Sequence, residues 1–154
     1  MKYYIAYGSN LNRSQMRYRC PSAVAVGTGM LEGYELSFRG TRRGTGFLSI
    51  DPKEGGRVPV GIWRVTAADE ASLDIYEGFP HLYRKETIRV RLCPFCGSRA
   101  RTVEAIVYIM NDGHPVVPPS DGYFRTCEEG YYDFFLDYSY LDEAELRSRK
   151  AHAC

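Results

Sequence analysis

A polar turn follows the first apolar segment of the chain. Residues 3–7 (YYIAY) are apolar or aromatic, as a buried strand requires, and residues 8–10 (GSN) then interrupt the pattern before a polar segment with helical character. If Asn10 or Asn12 caps that helix, with Gln15 placed as in a capping box, the turn presents backbone N–H groups beside a helix N-terminus. Such groups suit a carboxylate or a phosphate. The ordinary alternative is a plain turn with an asparagine cap.

A second segment that could do chemistry is LDIYEGFPHLYRK, residues 73–85. Thr66 and Asp69 can open a helix before it, and Gly78 can follow its C-cap, which places Glu77 in the last turn. The negative end of the helix dipole and the aromatic neighbours of Glu77 would both raise the pKa of its carboxyl group. A raised pKa suits a general base near neutral pH. The ordinary alternative is a solvated surface glutamate.

The sequence CPFCG, residues 93–97, supplies two of the four ligands that a zinc site needs. The βαβ context of a thioredoxin-type redox pair is missing. The segment is therefore predicted to be a hairpin turn with free thiols and no metal ion. The other candidate ligands are scattered through the chain: Cys20, Cys127, Cys154, His81 and His114.

The segment FRGTRRGTG, residues 38–46, places Arg39, Arg42 and Arg43 among glycines. These arginines could hold a phosphate or an anionic substrate tail, or contact nucleic acid. The segment lacks interleaved aromatic residues, and the formal net charge of the whole chain is only +1. A solvated loop at a sheet edge is therefore the favoured interpretation.

The overall composition is that of a globular domain. The chain has 154 residues, of which 44% are hydrophobic and 25% charged, so residues 1–154 are expected to form one domain. No apolar run approaches the roughly 20 residues that span a bilayer, and the N-terminal residues do not have the pattern of a signal peptide. Five cysteines form no disulfide framework. We therefore expect a cytoplasmic protein that binds neither membrane nor nucleic acid.

Strand patterns outnumber helix patterns along the chain and do not alternate strictly with them. This arrangement indicates an α+β fold with a mixed, curled sheet. The predicted strands are 3–7, one or two within 22–40, 46–52 (stopped by Asp51-Pro52), 58–66, 82–92 and 100–110, and the predicted helices are a short one near 12–18, 67–78 and one or two within 123–150.

Several segments, taken in order, resemble the gamma-glutamylcyclotransferase-like family, which includes the plant AIG2-like proteins. The YGSNL motif at the end of a strand, together with an LDxYEG segment, is fairly specific, whereas either alone would be weak. The matching segments are YGSNL at 7–11, GFLSI at 46–50, VGIWRVT at 60–66, LDIYEGFPHLYRK at 73–85 and AIVYIM at 105–110.

The resemblance implies a small barrel-like sheet with peripheral helices, and an enzyme that cyclises a γ-glutamyl amide to 5-oxoproline without a cofactor. It implies that Glu77 is the catalytic acid/base and that Tyr108 lines the pocket, with Tyr83 near it. The residues expected to bind the α-amino acid end of the substrate are those of the turn: Tyr7, Gly8, Ser9, Asn10 and Leu11.

Two departures from the family pattern leave the leaving group of the substrate open. These are the CPFCG insert and the tyrosine-rich segment YYDFFLDYSY, residues 131–140. The oligomeric state, with a homodimer as one option, is open as well. Two alternative functions stand beside the enzyme: a catalytically silent family member that binds a small ligand, and a protein that binds nucleic acid or a partner through the Arg-rich loop and CPFCG.

Overall fold

Five strands close into a barrel in the computed structural model, which describes residues 1–41 and 44–153. The order of strands around the barrel is β1-β3-β2-β4-β5, and the β1–β5 pair is parallel whereas the others are antiparallel. The predicted α+β fold with a curled mixed sheet is therefore confirmed. The strands are β1 (Lys2–Ala6), β2 (Val24–Arg39), β3 (Phe47–Val65), β4 (Tyr83–Pro94) and β5 (Arg101–Met110).

Four helices of the described chain pack around the barrel. They are α1 (Arg13–Arg19), α2 (Ala67–Tyr76), α3 (Asp121–Asp133) and α4 (Ser139–Ala153), and a 3₁₀ turn (Ser9–Leu11) precedes α1. No helix in the described part of the chain is both long enough and apolar enough to span a bilayer.

β1 is the strand that the rest of the fold surrounds. It pairs with β3 on one side and with β5 on the other, and its residues Tyr4, Ile5 and Ala6 are all buried. A strand covered on both faces has no solvent-facing positions to fill with polar residues. This explains why the N-terminal segment is a continuous apolar run rather than an alternating one.

The predicted end of a strand at Asp51-Pro52 is wrong, because β3 continues through these residues. The pairing with β2 changes register at this point, from Tyr34 opposite Pro52 to Glu32 opposite Arg57, so residues 53–56 bulge out of the ladder. Proline cannot donate a hydrogen bond to a neighbouring strand and is tolerated at such irregularities. The sequence signal therefore marks an irregularity in the β2–β3 pairing and not the end of a strand.

α1 and α2 are capped by residues that the sequence indicated, although Gln15 does not complete a capping box at α1 and its side chain accepts from Arg19 instead. The side chain of Asn12 accepts a hydrogen bond from the Gln15 backbone N–H at 3.1 Å, so Asn12 rather than Asn10 caps α1. Thr66 and Asp69 form a reciprocal capping box at the start of α2. Both helices therefore start at side chains that satisfy their free backbone N–H groups.

The CPFCG segment connects β4 to β5, as the predicted hairpin requires. Cys93 and Cys96 are exposed free thiols, whereas Cys20 and Cys127 are buried in the core. Among the described residues, no three His, Cys, Asp or Glu side chains are grouped to hold a metal ion. Cys154 lies outside the described residues.

Arg39 is not part of a solvated loop. At the end of β2 it is half-buried, its guanidinium forms a 2.8 Å ion pair with Asp51, and it donates to the backbone carbonyl of His114 at 2.9 Å. It therefore links β2, β3 and the loop after β5. Arg42 and Arg43 lie outside the described residues.

Candidate active site

A cavity of about 220 Å³ lies beside the end of β1. Its walls come from every strand except β2, and from the turn after β1, the C-terminal end of α2 and the start of α3. Seven of the eight residues singled out in the sequence line it: Tyr7, Gly8, Ser9, Asn10, Glu77, Tyr83 and Tyr108. The fold thus brings together side chains that lie up to 101 positions apart.

Leu11 is the exception among the predicted residues. Its side chain is fully buried in the core, where it fills the space left by Gly61 of β3 and Gly130 of α3. A Cβ at either glycine would lie 2.6 Å from an atom of Leu11. The Leu11 side chain therefore anchors the turn to the core and does not line the cavity.

The turn that follows β1 is held by two backbone hydrogen bonds. Leu11 N–H donates to Gly8 C=O and Asn12 N–H donates to Ser9 C=O, both at 3.0 Å. The N–H groups of the preceding residues are not used by the turn itself, because the first N–H groups of any helical turn lack an acceptor within it.

Gly8 allows a close backbone approach rather than a left-handed conformation. Its φ is −134°, which lies outside the left-handed region that favours glycine. A Cβ at this position would lie 3.3 Å from Leu48 Cβ and 3.5 Å from the Tyr123 hydroxyl oxygen. Glycine therefore lets the turn pack tightly against β3 and α3 at the cavity wall.

Asn10 connects this turn to Glu77. Its amide nitrogen Nδ2 donates to the Tyr4 hydroxyl at 2.9 Å and to Glu77 Oε1 at 3.3 Å. Its backbone carbonyl accepts a hydrogen bond from Trp63 Nε1 at 2.9 Å. Because Asn10 is buried and bonded at both ends, its position relative to Glu77 is well defined.

Glu77 lies at the C-cap of α2, directly before Gly78, whose φ of +64° ends the helix. The α2 helix thus places a carboxyl group at the cavity wall. Burial raises the pKa of Glu77 from 4.5 to about 7, and the nearby charge of Arg19 opposes this rise. A carboxyl group of this kind can both accept and donate a proton near neutral pH.

The tyrosine hydroxyls around Glu77 are engaged in fixed hydrogen bonds. Tyr7 donates to the backbone carbonyl of Tyr108 at 2.6 Å, Tyr83 donates to the carbonyl of Leu48 at 2.8 Å, and Tyr108 donates to Asp74 Oδ1 at 2.5 Å. Burial raises the pKa of all three phenols above the ordinary value, so they stay neutral at physiological pH. They shape the cavity and leave Glu77 as its titrating group.

Sequence reasoning missed several residues of the cavity wall. Tyr123 from α3 accepts a hydrogen bond from the Leu48 backbone N–H at 3.0 Å, and its ring meets Phe47 edge-to-face at 5.0 Å between centroids. The Tyr76 hydroxyl lies 3.1 Å from Ser9 Oγ. Phe47 and Leu48 belong to the GFLSI segment, which could have drawn attention to them, but nothing near Tyr123 in the sequence separates it from the other tyrosines of the C-terminal region.

Comparisons with known proteins agree with this architecture. A family model described as "Gamma-glutamyl cyclotransferase, AIG2-like" matches residues 4–133. A solved structure titled "Gamma-glutamyl cyclotransferase" is 23% identical, with a TM-score of 0.80 over 94% of this chain and 86% of that chain. The crystal structure of protein loc79017 from Homo sapiens is 24% identical, with a TM-score of 0.79 over the same shares of the two chains.

An AIG2-like protein from Mus musculus is a more distant structural relative. It is 21% identical, with a TM-score of 0.58 over 79% of this chain and 88% of that chain. At these identities the solved structures indicate a shared fold. The comparison with curated proteins found no significant match.

Proposed function

Because the chain belongs to the gamma-glutamyl cyclotransferase, AIG2-like family, we propose that it cyclises a γ-glutamyl amide to 5-oxoproline and releases the amine or amino acid. In this reaction the α-amine of the γ-glutamyl group attacks its own γ-carbonyl carbon. A new C–N bond closes a five-membered ring, and the original amide C–N bond breaks. The reaction is an intramolecular acyl transfer that requires proton movement but no cofactor.

The reaction needs a group that can move protons. The α-amine is largely protonated in water and must lose a proton before it can attack, and the leaving nitrogen must gain one. A single carboxyl group can meet both needs if its pKa lies near the working pH. Glu77, whose pKa is raised to about 7, is the general acid/base in this proposal.

The observation that carries the proposal is the 3.3 Å hydrogen bond from Asn10 Nδ2 to Glu77 Oε1. It joins the turn after β1 to the titrating carboxyl group across one cavity, although the two residues lie 67 positions apart in the chain. A substrate held by the turn would therefore have its reacting atoms beside Glu77.

The turn itself supplies the substrate contacts in this proposal. Backbone N–H groups at Ser9 and Asn10 hold the α-carboxylate of the γ-glutamyl group or the oxyanion that develops at the γ-carbonyl. Tyr7, Tyr83 and Tyr108 enclose the folded glutamyl chain. Folding the substrate so that its amine touches its carbonyl contributes much of the rate, because the entropy of ring closure is lost on binding.

The decisive experiment is incubation with a panel of γ-glutamyl amides, followed by an assay for 5-oxoproline. The panel should include γ-glutamyl amino acids, a γ-glutamyl-lysine isopeptide and γ-glutamyl derivatives of simple amines. Stoichiometric 5-oxoproline and free amine from at least one compound would support the proposal. Binding of these amides without turnover would favour the catalytically silent alternative and would contradict the proposal.

The nucleic-acid or partner-binding alternative has its own inexpensive tests. Elemental analysis for zinc tests the CPFCG thiols, and a salt-dependent mobility shift with DNA or RNA tests the basic loop. No observation among the described residues favours this alternative, since Arg39 is already paired with Asp51.

A further inference from the structure

Arg19 is the last residue of α1 and reaches back to the turn after β1. Its Nη1 donates to Asn10 Oδ1 at 2.6 Å, and its Nη2 donates to Gln15 Oε1 at 2.7 Å. The guanidinium carbon lies 3.6 Å from the ring centroid of Tyr76, so the planar group stacks on a residue of the cavity wall. Three contacts therefore fix the guanidinium in place although it is only half-buried.

This arrangement determines which way the Asn10 amide points. An asparagine side chain has one accepting atom and one donating atom, and a guanidinium can only donate. Arg19 therefore holds Oδ1 toward itself, and Nδ2 must face the opposite side, where it meets the Tyr4 hydroxyl and Glu77 Oε1. A flipped amide would place its NH₂ group against the guanidinium and would lose the bond to Glu77.

The orientation of the amide in turn determines which carboxylate oxygen faces the reaction. Asn10 occupies Oε1 of Glu77, and within the described residues no hydrogen bond to Oε2 is formed. Oε2 is then the oxygen that exchanges a proton with the substrate. The position of this atom depends on the Arg19–Asn10–Glu77 chain of contacts.

Arg19 is also the charge that acts on Glu77, from the other side of the Asn10 amide. Among the described residues, the other titratable groups that interact with Glu77 are phenols from β1, the residue after it, β4, β5 and α3, and burial raises the pKa of each, so they are neutral at pH 7. These phenols are Tyr4, Tyr7, Tyr83, Tyr108 and Tyr123.

We infer that Arg19 is a positioning residue for the proposed cyclisation: through the Asn10 amide it orients the Glu77 carboxylate, and its charge favours the ionised form that takes the proton. The effect on turnover rests on the proposed function. The effect on the ionisation of Glu77 does not.

Three single variants separate the parts of this role. Arg19→Met removes both the charge and the hydrogen bonds. Arg19→Lys keeps the charge but cannot reproduce the planar, two-pronged contact with Asn10 and Gln15. Arg17→Met is the matched control, because Arg17 lies on the same helix, is exposed, and borders a different surface depression beside Trp63.

The first measurement is the pH profile of kcat and KM for a γ-glutamyl amide that the wild type cyclises. In Arg19→Met we expect kcat to fall by about 10- to 100-fold with a smaller change in KM, as for other residues that orient a catalytic group. The acidic limb of its profile should move to higher pH. In Arg19→Lys the limb should stay near the wild-type position while kcat still falls, and Arg17→Met should match the wild type in both respects.

The second measurement follows the Glu77 carboxyl carbon by NMR during a pH titration, without substrate. Its midpoint should be higher in Arg19→Met than in the wild type and in Arg17→Met. The Asn10 side-chain amide signals of the wild type should titrate with the same midpoint. This NMR titration does not depend on turnover, so it tests the role of Arg19 even if no γ-glutamyl amide is cyclised. Absence of cyclisation would contradict the proposed function but not the effect of Arg19 on Glu77.

The inference is overturned if Arg19→Met keeps the wild-type kcat and pH profile. It is also overturned if the Glu77 midpoint is the same in Arg19→Met and the wild type. Should Arg19→Met fail to fold, the Arg19→Lys profile and the Asn10 amide titration in the wild type decide the question. An Asn10 amide signal that does not respond to pH near neutrality would then refute the contact chain.

Discussion

The hydroxyl oxygen of Tyr108 lies 2.5 Å from Asp74 Oδ1 and ties the end of β5 to α2. Lys85 of β4 donates to the same oxygen at 2.7 Å and also to Glu70 of α2 at 2.8 Å. These contacts fasten α2 to two strands of the barrel. Because Glu77 lies at the C-cap of α2, the same contacts hold its carboxyl group at the cavity.

Replacing Tyr108 with phenylalanine should therefore loosen this attachment. We expect Tyr108→Phe to lower the free energy of unfolding by about 1–3 kcal/mol, the usual contribution of a hydrogen bond to a charged group. Asp74 keeps its bond to Lys85, so no buried charge is left unpaired. Urea denaturation measures the change, and Tyr18→Phe is the control because Tyr18 is 90% exposed. Equal stability of the two variants would show that the contact does not hold α2.

Glu77→Gln tests the proposed acid/base directly. The amide is nearly isosteric with the carboxyl group but cannot take up a proton, so turnover should fall by about 10²–10⁴-fold while the fold is retained. Glu104→Gln is the matched control, because Glu104 is exposed on β5 away from the cavity. Near-wild-type turnover in Glu77→Gln on a true substrate would remove Glu77 from the mechanism.

The raised pKa of Glu77 has a consequence for stability that can be measured without substrate. Between pH 4.5 and about 7 the folded protein holds a proton on Glu77 that the unfolded chain releases, so stability must fall as the pH rises through this range. Well above pH 7 the full cost of the buried charge applies, roughly 3 kcal/mol for a shift from 4.5 to about 7 at 1.36 kcal/mol per pKa unit.

Glu77→Gln removes this cost because glutamine does not ionise. The variant should therefore be more stable than the wild type at pH 8, and the difference should shrink toward zero as the pH approaches 4.5. Thermal or urea unfolding of both proteins across this range measures the difference. A difference that does not change with pH would contradict the raised pKa.

Gly8→Ala tests the close approach of the turn to β3. The added Cβ would lie 3.3 Å from Leu48 Cβ, so Leu48 must move by a few tenths of an ångström. We expect a loss of roughly 1 kcal/mol or more in stability, as for other overpacked sites, together with a higher KM. Gly122→Ala is the control, because a Cβ there meets open space in α3 and should stabilise the protein by about 0.4–1 kcal/mol. Equal behaviour of the two variants would refute the packing argument.

Much of the fold could be predicted because its signals are local. The capping box of Thr66 and Asp69 and the glycine after Glu77 define α2 from a dozen residues, and the alternation of Ile88, Val90 and Leu92 identifies β4. The continuation of β3 past Pro52 could not be predicted from local sequence signals. It depends on pairing with β2, which lies elsewhere in the sequence.

The candidate site was accessible to sequence reasoning only in part. The polar turn and the position of a glutamate at a helix end drew attention to Asn10 and Glu77. That the two residues share one site was predicted only from the family resemblance. Tyr123 and Arg19 carry no local signal of their role, because each acts through a partner brought to it by closure of the barrel. The core position of the Leu11 side chain was not foreseen, since a motif does not show which of its side chains points into the core.

Closure of the barrel depends on the parallel contact between β1 and β5, where Tyr3 lies opposite Ala105 and Tyr4 opposite Ile106. About a hundred residues of chain separate the two strands, and contacts of such long range form late because the chain entropy of the intervening loop must be lost first. The cavity straddles this seam, with Tyr4 on one strand and Tyr108 on the other. A chain with an open seam can retain its β2–β3 and β4–β5 hairpins, yet it has no enclosed place for a ligand. A small molecule that binds only the closed cavity therefore stabilises the closed barrel against opening, by an amount that grows with its concentration relative to its Kd.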